Sequence, residues 1–324
     1  MVFDIKKLIL IIIINLIIIK ESFLYKYYKF CLNCINNYKK SPNCFECPTH
    51  LIFKNLKIMS DDITLNEIIK KNKSISRFGD GEFKIILGRS NGFQNPNKIL
   101  TKKLLNILNQ KDKNFLVGIN LPYKKNQLTK LTTSAQKYWN RFFNKYKFKI
   151  AKIIKNKKYY SATISRFYMD YKDKNNIPKY IQKLKKIWEQ KDILIIEGEK
   201  SRLGIGNDLF NNSKSIKRII CPMINAFNVY DKIINAVLKY GGKRVILIAL
   251  GPTATLLAYD LYKLGYKSVD VGHIDIEYEW FLRNATHKIQ IKNKYVNEVL
   301  GKRYNFTYVK DNNYYNQIVA KILK

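Results

Sequence analysis

Arg244-Val245-Ile246-Leu247-Ile248-Ala249-Leu250-Gly251-Pro252-Thr253 is the stretch on which the fold turns. Its apolar run reads as a strand, Gly251 closes it, and Pro252 suits the first position of a helix. That helix is expected to end at Gly265, with a further strand from Ser268 to Val271. Upstream the same rhythm repeats. A helix from about Val229 to Tyr240 stops at Gly241-Gly242, as a glycine just past a helix end would dictate. Arg218 to Cys221 is a strand ended by Pro222. Ile193 to Ile196 is a buried strand followed by a glycine-rich loop and a short helix near Asp208-Leu209-Phe210. Strands and helices alternating across short, glycine-marked turns describe an α/β fold: a Rossmann-like, mostly parallel sheet flanked by helices.

Toward the amino terminus the pattern continues. Thr64 and Glu67 fit a capping box opening a helix that runs into Lys71. Ser74 to Phe78 reads as a strand that ends at Gly79-Asp80-Gly81-Glu82. A helical pattern through Phe83, Ile86 and Leu87 is stopped by Gly88. Residues 101–158 carry two or three amphipathic helices, one with the stripe Leu104, Leu105 and Leu108, around a strand from Phe115 to Ile119. Ser161 to Tyr171 begins β-like and turns polar at Asp170. One folded domain is therefore expected over 61–304, and a basic tail over 305–324.

The first sixty residues differ in character. Over 1–20, Lys6-Lys7 precede an apolar run from Leu8 to Ile19. At ~1.5 Å per helical residue it is short for a hydrocarbon core of ~30 Å, and it better suits a signal-like segment or shallow anchor. No small-x-small cleavage site follows, and lysines flank both sides, so membrane-associated and cytoplasmic locations both stay open. The linker 21–60 carries Cys31-x-x-Cys34 and Cys44-x-x-Cys47. Two close pairs suit a tetrahedral Zn2+ site, two disulfides in an oxidising compartment, or four unlinked thiols. Cys221, at the end of a strand pattern, reads as an inert core thiol.

The 324 residues carry a formal charge of +36. That balance resembles a nucleic-acid binder, but the excess is spread along the chain with abundant Asn, Ile and Tyr. Nucleic-acid arms concentrate their charge. The densest stretch, Lys152 to Lys158, reads as a solvated helix end. No specific nucleic-acid partner is expected, although anionic surfaces would attract so basic a chain.

Ligands of open parallel sheets bind beyond the carboxyl ends of the strands, and four polar clusters fall there, the fourth of them a pair of segments. In Arg77-Phe78-Gly79-Asp80-Gly81-Glu82, two carboxylates on a glycine-flanked turn can share one hard cation, Mn2+ or Mg2+. Gly79 and Gly81 let backbone approach a phosphate. Arg166 suits phosphate capture or a pairing with Asp170. Lys200 and Arg202 lie in a glycine-rich loop before the expected short helix, a place that favours an anion. Gly251 and Thr253 begin a second such cradle. His273-Ile274-Asp275-Ile276-Glu277-Tyr278-Glu279-Trp280 offers three carboxylates that share one face if extended, a source of a general base. No GxSxG, HExxH or Cys–His signature competes.

Taken together, Ser76 to Glu82, Arg166 to Asp173, Glu197 to Phe210, Ala249 to Asp260 and Gly272 to Leu282 resemble the GT-D fold glycosyltransferases, in family order. The resemblance covers roughly residues 60–300 and departs from the pattern at Phe167, where proline is expected. It implies a UDP-sugar donor, UDP-glucose as precedent, and a divalent metal at the DxE motif formed by Asp80 and Glu82. Arg77, Arg166 and Arg202 become candidates for phosphate contacts; by position, Asp275 or Glu277 would be the base if the reaction inverts the anomeric centre. The acceptor would be a glycan or glycoprotein. A metal-dependent nucleotide or sugar-phosphate hydrolase, and a non-enzymatic basic glycan or nucleic-acid binder, are the alternatives.

Overall fold

Alternation along each strand, with both faces apolar, decides the layering. In this computed structural model, which describes residues 49–155, 157–299 and 311–323, Ile193 and Ile195 pack into one core while Leu194 and Ile196 pack into the other. The same division separates Val245 and Leu247 from Ile246 and Ile248. Such strands need a helical layer on each side.

The elements in chain order are α1 (Thr49–Ile52), β1 (Lys57–Ile58), α2 (Asp61–Lys70), β2 (Ser74–Phe78), α3 (Asp80–Ile86), α4 (Lys98–Asn109) and β3 (Phe115–Ile119). Then come α5 (Lys125–Leu128), α6 (Thr133–Ile153), β4 (Lys158–Ser161), α7 (Ile177–Lys185), β5 (Asp192–Gly198) and β6 (Ser215–Cys221). The last are α8 (Tyr230–Tyr240), β7 (Val245–Ala249), α9 (Pro252–Lys263), β8 (Ser268–Asp270), α10 (Ile274–Leu282), α11 (Asn312–Gln317) and β9 (Ile318–Lys321). Among the described residues the nine strands form one sheet in the order β1-β4-β3-β2-β8-β7-β5-β6-β9. Every pairing is parallel. From β2 the chain steps outward through β3 to β4, and β8 and β7 close the other side. The β2/β8 boundary is thus a switch point, where open sheets leave a crevice for ligand.

Helices α4, α6, α8 and α9 cover one face; α2, α7 and α10 cover the other. On α9, Thr255 donates to the Arg77 carbonyl at 2.9 Å, so that helix lies tight against the end of β2. At the other end of the sheet, buried Arg218 donates to Glu197 at 2.6 Å and to Gln317 at 2.7 Å. This anchors α11 and β9.

Several local expectations shift. The cap of α2 is Ser60, whose hydroxyl accepts from Ile63 N at 3.3 Å; the helix starts at Asp61 rather than near Thr64. Thr64 is buried inside it and accepts from Ser161 N at 2.9 Å. No helix forms near Asp208-Leu209-Phe210, where the chain makes turns. Residues 274–282 are helical rather than extended, so Asp275 and Glu279 share a face and Glu277 points elsewhere. Of the tail read from 305, residues 311–323 include α11 and edge strand β9. Of the linker read over 21–60, residues 49–60 include α1 and β1. The apolar run 8–19 and Cys31, Cys34, Cys44 and Cys47 lie outside the described residues. Among those described, no helix is long and apolar enough to cross a membrane. Cys221 is a fully buried free thiol, its pKa pushed up by burial.

Candidate active site

A cavity of about 490 Å3 opens at the carboxyl ends of β2, β8 and β7, where the switch point lies. Arg77, Gly79, Asp80, Gly81 and Glu82 enter it from the end of β2 and the start of α3. Arg166, Gly251 and Asp275 reach it from other elements, so eight of the expected site residues converge. Lys200, Arg202, Thr253 and Glu277 do not line it.

Asp80 and Glu82 occupy the first turn of α3, where the exposed N–H groups favour negative charge. Glu82 reaches back to accept from Gly79 N at 2.7 Å, fixing the turn. Asp80 Oδ2 accepts from Lys84 Nζ at 2.6 Å and from the Tyr138 hydroxyl. Burial pushes Glu82 up to about 7, with Asp270 and Asp80 adding to the shift. Burial disfavours the charged form of Glu82, and a cation bound beside it would favour that form. Among the described residues no three Asp, Glu, His or Cys side chains form a closed metal cage. A carboxylate pair fits an ion such as Mg2+ or Mn2+ that takes its other oxygens from phosphate and water.

Arg77 is committed inward. Its Nε and Nη2 each lie 3.2 Å from Asp270 Oδ1, its backbone N donates to Oδ2 at 3.2 Å, and Nη1 donates to Ala162 O at 2.9 Å. Nη1 also donates to the Ser165 hydroxyl. Burial raises the Asp270 pKa and Arg77 opposes it. The guanidinium lies over Gly272, at φ +43°, where a Cβ would fall 1.8 Å from Nη2. Arg77 thus ties β2 to β8 and to the chain after β4.

A second charged group surrounds Glu298. Arg166 and Lys288 both donate to it, and Lys288 Nζ lies 3.7 Å from Asp170. Although burial would raise it, Arg166 and the other nearby cations hold Glu298 well below the usual carboxylate range. The principal partner of Arg166 is therefore Glu298, not Asp170. His273 Nδ1 sits 3.5 Å from the same carboxylate; burial, then Arg166, lower its pKa to about 4, which leaves the ring neutral.

The glycine-rich loop cradles the protein's own anions. Leu203 N donates to Glu197 at 2.7 Å and Gly204 N to Asp275 at 2.8 Å. Arg202 donates to Asn293 O at 3.0 Å, and Lys200 O accepts from Tyr295 N at 2.9 Å, so the loop pins residues 293–295. Asp275 also accepts from Asn207 at 2.8 Å and Lys294 at 2.7 Å. Glu277 is buried with Oε2 accepting from Tyr168 N and Met169 N, while Oε1 has no hydrogen-bond partner. Burial pushes it up to about 7. Gly251, at φ +53°, packs on Phe93 at the cavity edge, and Thr253 is buried behind it, 3.4 Å from Gln94.

Asp270, Tyr138, Lys288 and Glu298 line the cavity without having been singled out. Asp270 left a trace in the sequence, as a carboxylate within the expected strand Ser268 to Val271, and it ends β8 in the structure. The other three had none, since only the fold brings them to β2.

Against known proteins, the glycosyltransferase GT-D fold family matches over residues 75–299. The chain is 38% identical over 272 residues to "Glycosyltransferase GlyD" of Streptococcus pneumoniae serotype 4, covering 83% of this chain and 33% of the relative. It is 38% identical over 273 residues to "Probable glycosyl transferase Gly" of Streptococcus gordonii, covering 83% and 39%. The chain thus spans about a third of the length of these curated relatives. One solved structure, of domain of unknown function 1792 with a distinct glycosyltransferase fold, superposes with a TM-score of 0.80 at 37% identity, covering 85% of this chain and 98% of that one. A second, a new glycosyltransferase of the same domain from Streptococcus sanguinis, gives 0.77 at 38% identity, covering 82% and 99%.

Proposed function

Because the chain belongs to the GT-D fold glycosyltransferase family, we propose that it moves a hexose, glucose as the leading case, from a UDP-sugar to a hydroxyl of a glycan or glycoprotein. One observation carries this reading: Asp80 and Glu82 open α3 directly beyond β2, inside the switch-point cavity. They would hold a Mn2+ or Mg2+ ion, which when bound supplies positive charge to the departing diphosphate.

The residues around them divide the remaining work. Arg166 and Lys288 already share the Glu298 carboxylate, and a diphosphate is an anion able to take its place. Arg77 holds the β2 turn in register through Asp270. Gly81 and Gly251 leave room for Asn91 and Phe93, which line the cavity beside Gly79. Asp275 takes the acceptor proton. Its two oxygens accept from Gly204, Asn207 and Lys294, filling three of the roughly four lone-pair positions of a carboxylate. The fourth is left for a hydroxyl. Lys200 and Arg202 support this wall by holding residues 293–295 rather than by touching donor.

The test is a panel of nucleotide sugars incubated with and without Mn2+, followed by released nucleoside diphosphate. UDP release that requires metal, and that Asp80→Asn or Glu82→Gln abolishes without unfolding the protein, is expected. Unchanged turnover in the double variant would refute the assignment. A hydrolase would instead release UDP at a rate no saccharide accelerates.

A further inference from the structure

A second cavity, of about 360 Å3, lies against the first and shares Asn120, Trp139, Arg166 and Asp170 with it. It is formed beyond the carboxyl ends of β1, β3 and β4, by the chain after each strand and by α5. Asp80 and Glu82 line the first cavity and not this one. The volume falls within the roughly 300–1,000 Å3 of small-ligand sites.

Its chemistry differs from that of the first. Trp139, largely buried, and Tyr171, half-buried, border it, with Leu121 and Pro122 beside them. Asp61, Gln127, Thr163 and Asn120 supply acceptors and neutral donors, and the Thr163 hydroxyl donates to Asp61 at 2.7 Å. Two cationic side chains, Lys130 and Arg166, and two carboxyl side chains, Asp61 and Asp170, are among the residues that line it. Aromatic surface among paired hydroxyls, amides and carboxylates suits an uncharged polyhydroxylated ring better than a phosphate. Displacement at the anomeric carbon also needs the attacking oxygen roughly 3–3.5 Å from it, so donor and acceptor must occupy continuous space. The geometry points to this cavity as the acceptor subsite, taking a neutral saccharide whose reacting hydroxyl faces the first cavity across Asn120 and Trp139.

This inference rests on the glycosyl-transfer reading, and the reaction is balanced within it. The acceptor oxygen forms a bond to the anomeric carbon, the bond from that carbon to the diphosphate breaks, and the acceptor proton passes to the base. Two variants at the outer wall separate acceptor binding from donor chemistry. Gln127→Trp fills the cavity from α5, and Lys130→Ala removes an exposed cation at its rim.

The probes are the p-nitrophenyl glycosides of glucose, galactose, N-acetylglucosamine and N-acetylgalactosamine, with UDP-glucose and Mn2+, reading p-nitrophenyl disaccharide and UDP separately. The wild-type chain is expected to glycosylate at least one of them. Gln127→Trp should raise the acceptor KM by roughly tenfold or more, and Lys130→Ala by a smaller factor, while UDP release to water persists in both. Equal acceptor KM in wild type and Gln127→Trp would overturn the subsite, as would failure of all four glycosides to accept sugar from an enzyme that releases UDP. No UDP release from any donor would instead sink the glycosyl-transfer reading, and the subsite with it.

Discussion

Lys84 and Asp80 stand one helical turn apart on α3, with the ammonium 2.6 Å from the carboxylate that the proposed metal needs. The cation that relieves this turn in the free protein is therefore a side chain. Partly exposed pairs of this kind are worth roughly 0.2–1 kcal/mol, so removing the competitor should tighten metal binding by up to about fivefold. Lys84→Met is expected to lower the Mn2+ dissociation constant, read from the electron paramagnetic resonance signal of free Mn2+. Weaker binding in Lys84→Met would show that the lysine helps to build the site instead.

Glu82 makes metal binding depend on pH. Its carboxyl is pushed up to about 7 by burial and by Asp270, and a ligand must be deprotonated before it binds. Mn2+ affinity should climb by roughly tenfold per pH unit below 7 and level off above it. Stability of the metal-free protein moves the other way. With the folded pKa above the ordinary glutamate value of 4.5, the contribution from Glu82 is complete below 4.5 and is lost as pH rises through about 7. Glu82→Gln should flatten the affinity profile and raise the Tm of the metal-free protein at pH 8, with the Tm difference vanishing at pH 4. A wild-type affinity profile with no slope between pH 5.5 and 7 would contradict the assignment.

The contrast between Asp80 and Asp270 shows what the sequence disclosed. Asp80-Gly81-Glu82 is legible because the motif is local: a strand ends, glycines turn the chain, and two carboxylates follow within three residues. The layered sheet is legible for a similar reason, since buried parallel strands such as Ile193 to Ile196 are continuous apolar runs. Asp270 depends on strand order, which brings β8 beside β2, while Tyr138 on α6 and Glu298 after α10 depend on long-range packing, and periodicity carries neither. The loop from Glu197 to Asp208 misled for another reason. Its glycines and following polar residues match an anion cradle, but the anions that fill it, Glu197 and Asp275, belong to the chain itself. Residues 273–280 misled through spacing alone, because alternate carboxylates suit a strand as well as a helix.

Gly272 should prove more sensitive than its neighbours. Gly265 also has positive φ, at +88°, but a Cβ there meets nothing within 4 Å. Gly265→Ala then carries only backbone strain, about 1–2 kcal/mol. Gly272→Ala adds displacement of Arg77 from Asp270, and breaking a buried pair costs roughly 3–5 kcal/mol. Urea unfolding of the two variants should separate them clearly, with UDP binding weakened only in Gly272→Ala. Equal stability would mean that Arg77 has another resting place.

Asp275 and Glu277 are two residues apart and make opposite predictions. Asp275 lines the donor cavity; Glu277 faces away and holds the backbone of Tyr168 and Met169. Asp275→Asn should lower kcat by roughly 10²–10⁴-fold, the usual worth of a general base, with donor KM little changed. Glu277→Gln keeps an oxygen for the two backbone N–H groups, and it removes a carboxyl that burial pushes up to about 7. It should leave kcat within about twofold, well under the 10²–10⁴-fold loss of a base, and should stabilise the fold above pH 7. An inactive Glu277→Gln beside an active Asp275→Asn would move the base to Glu277, and full activity in both would remove the proton acceptor from α10 altogether.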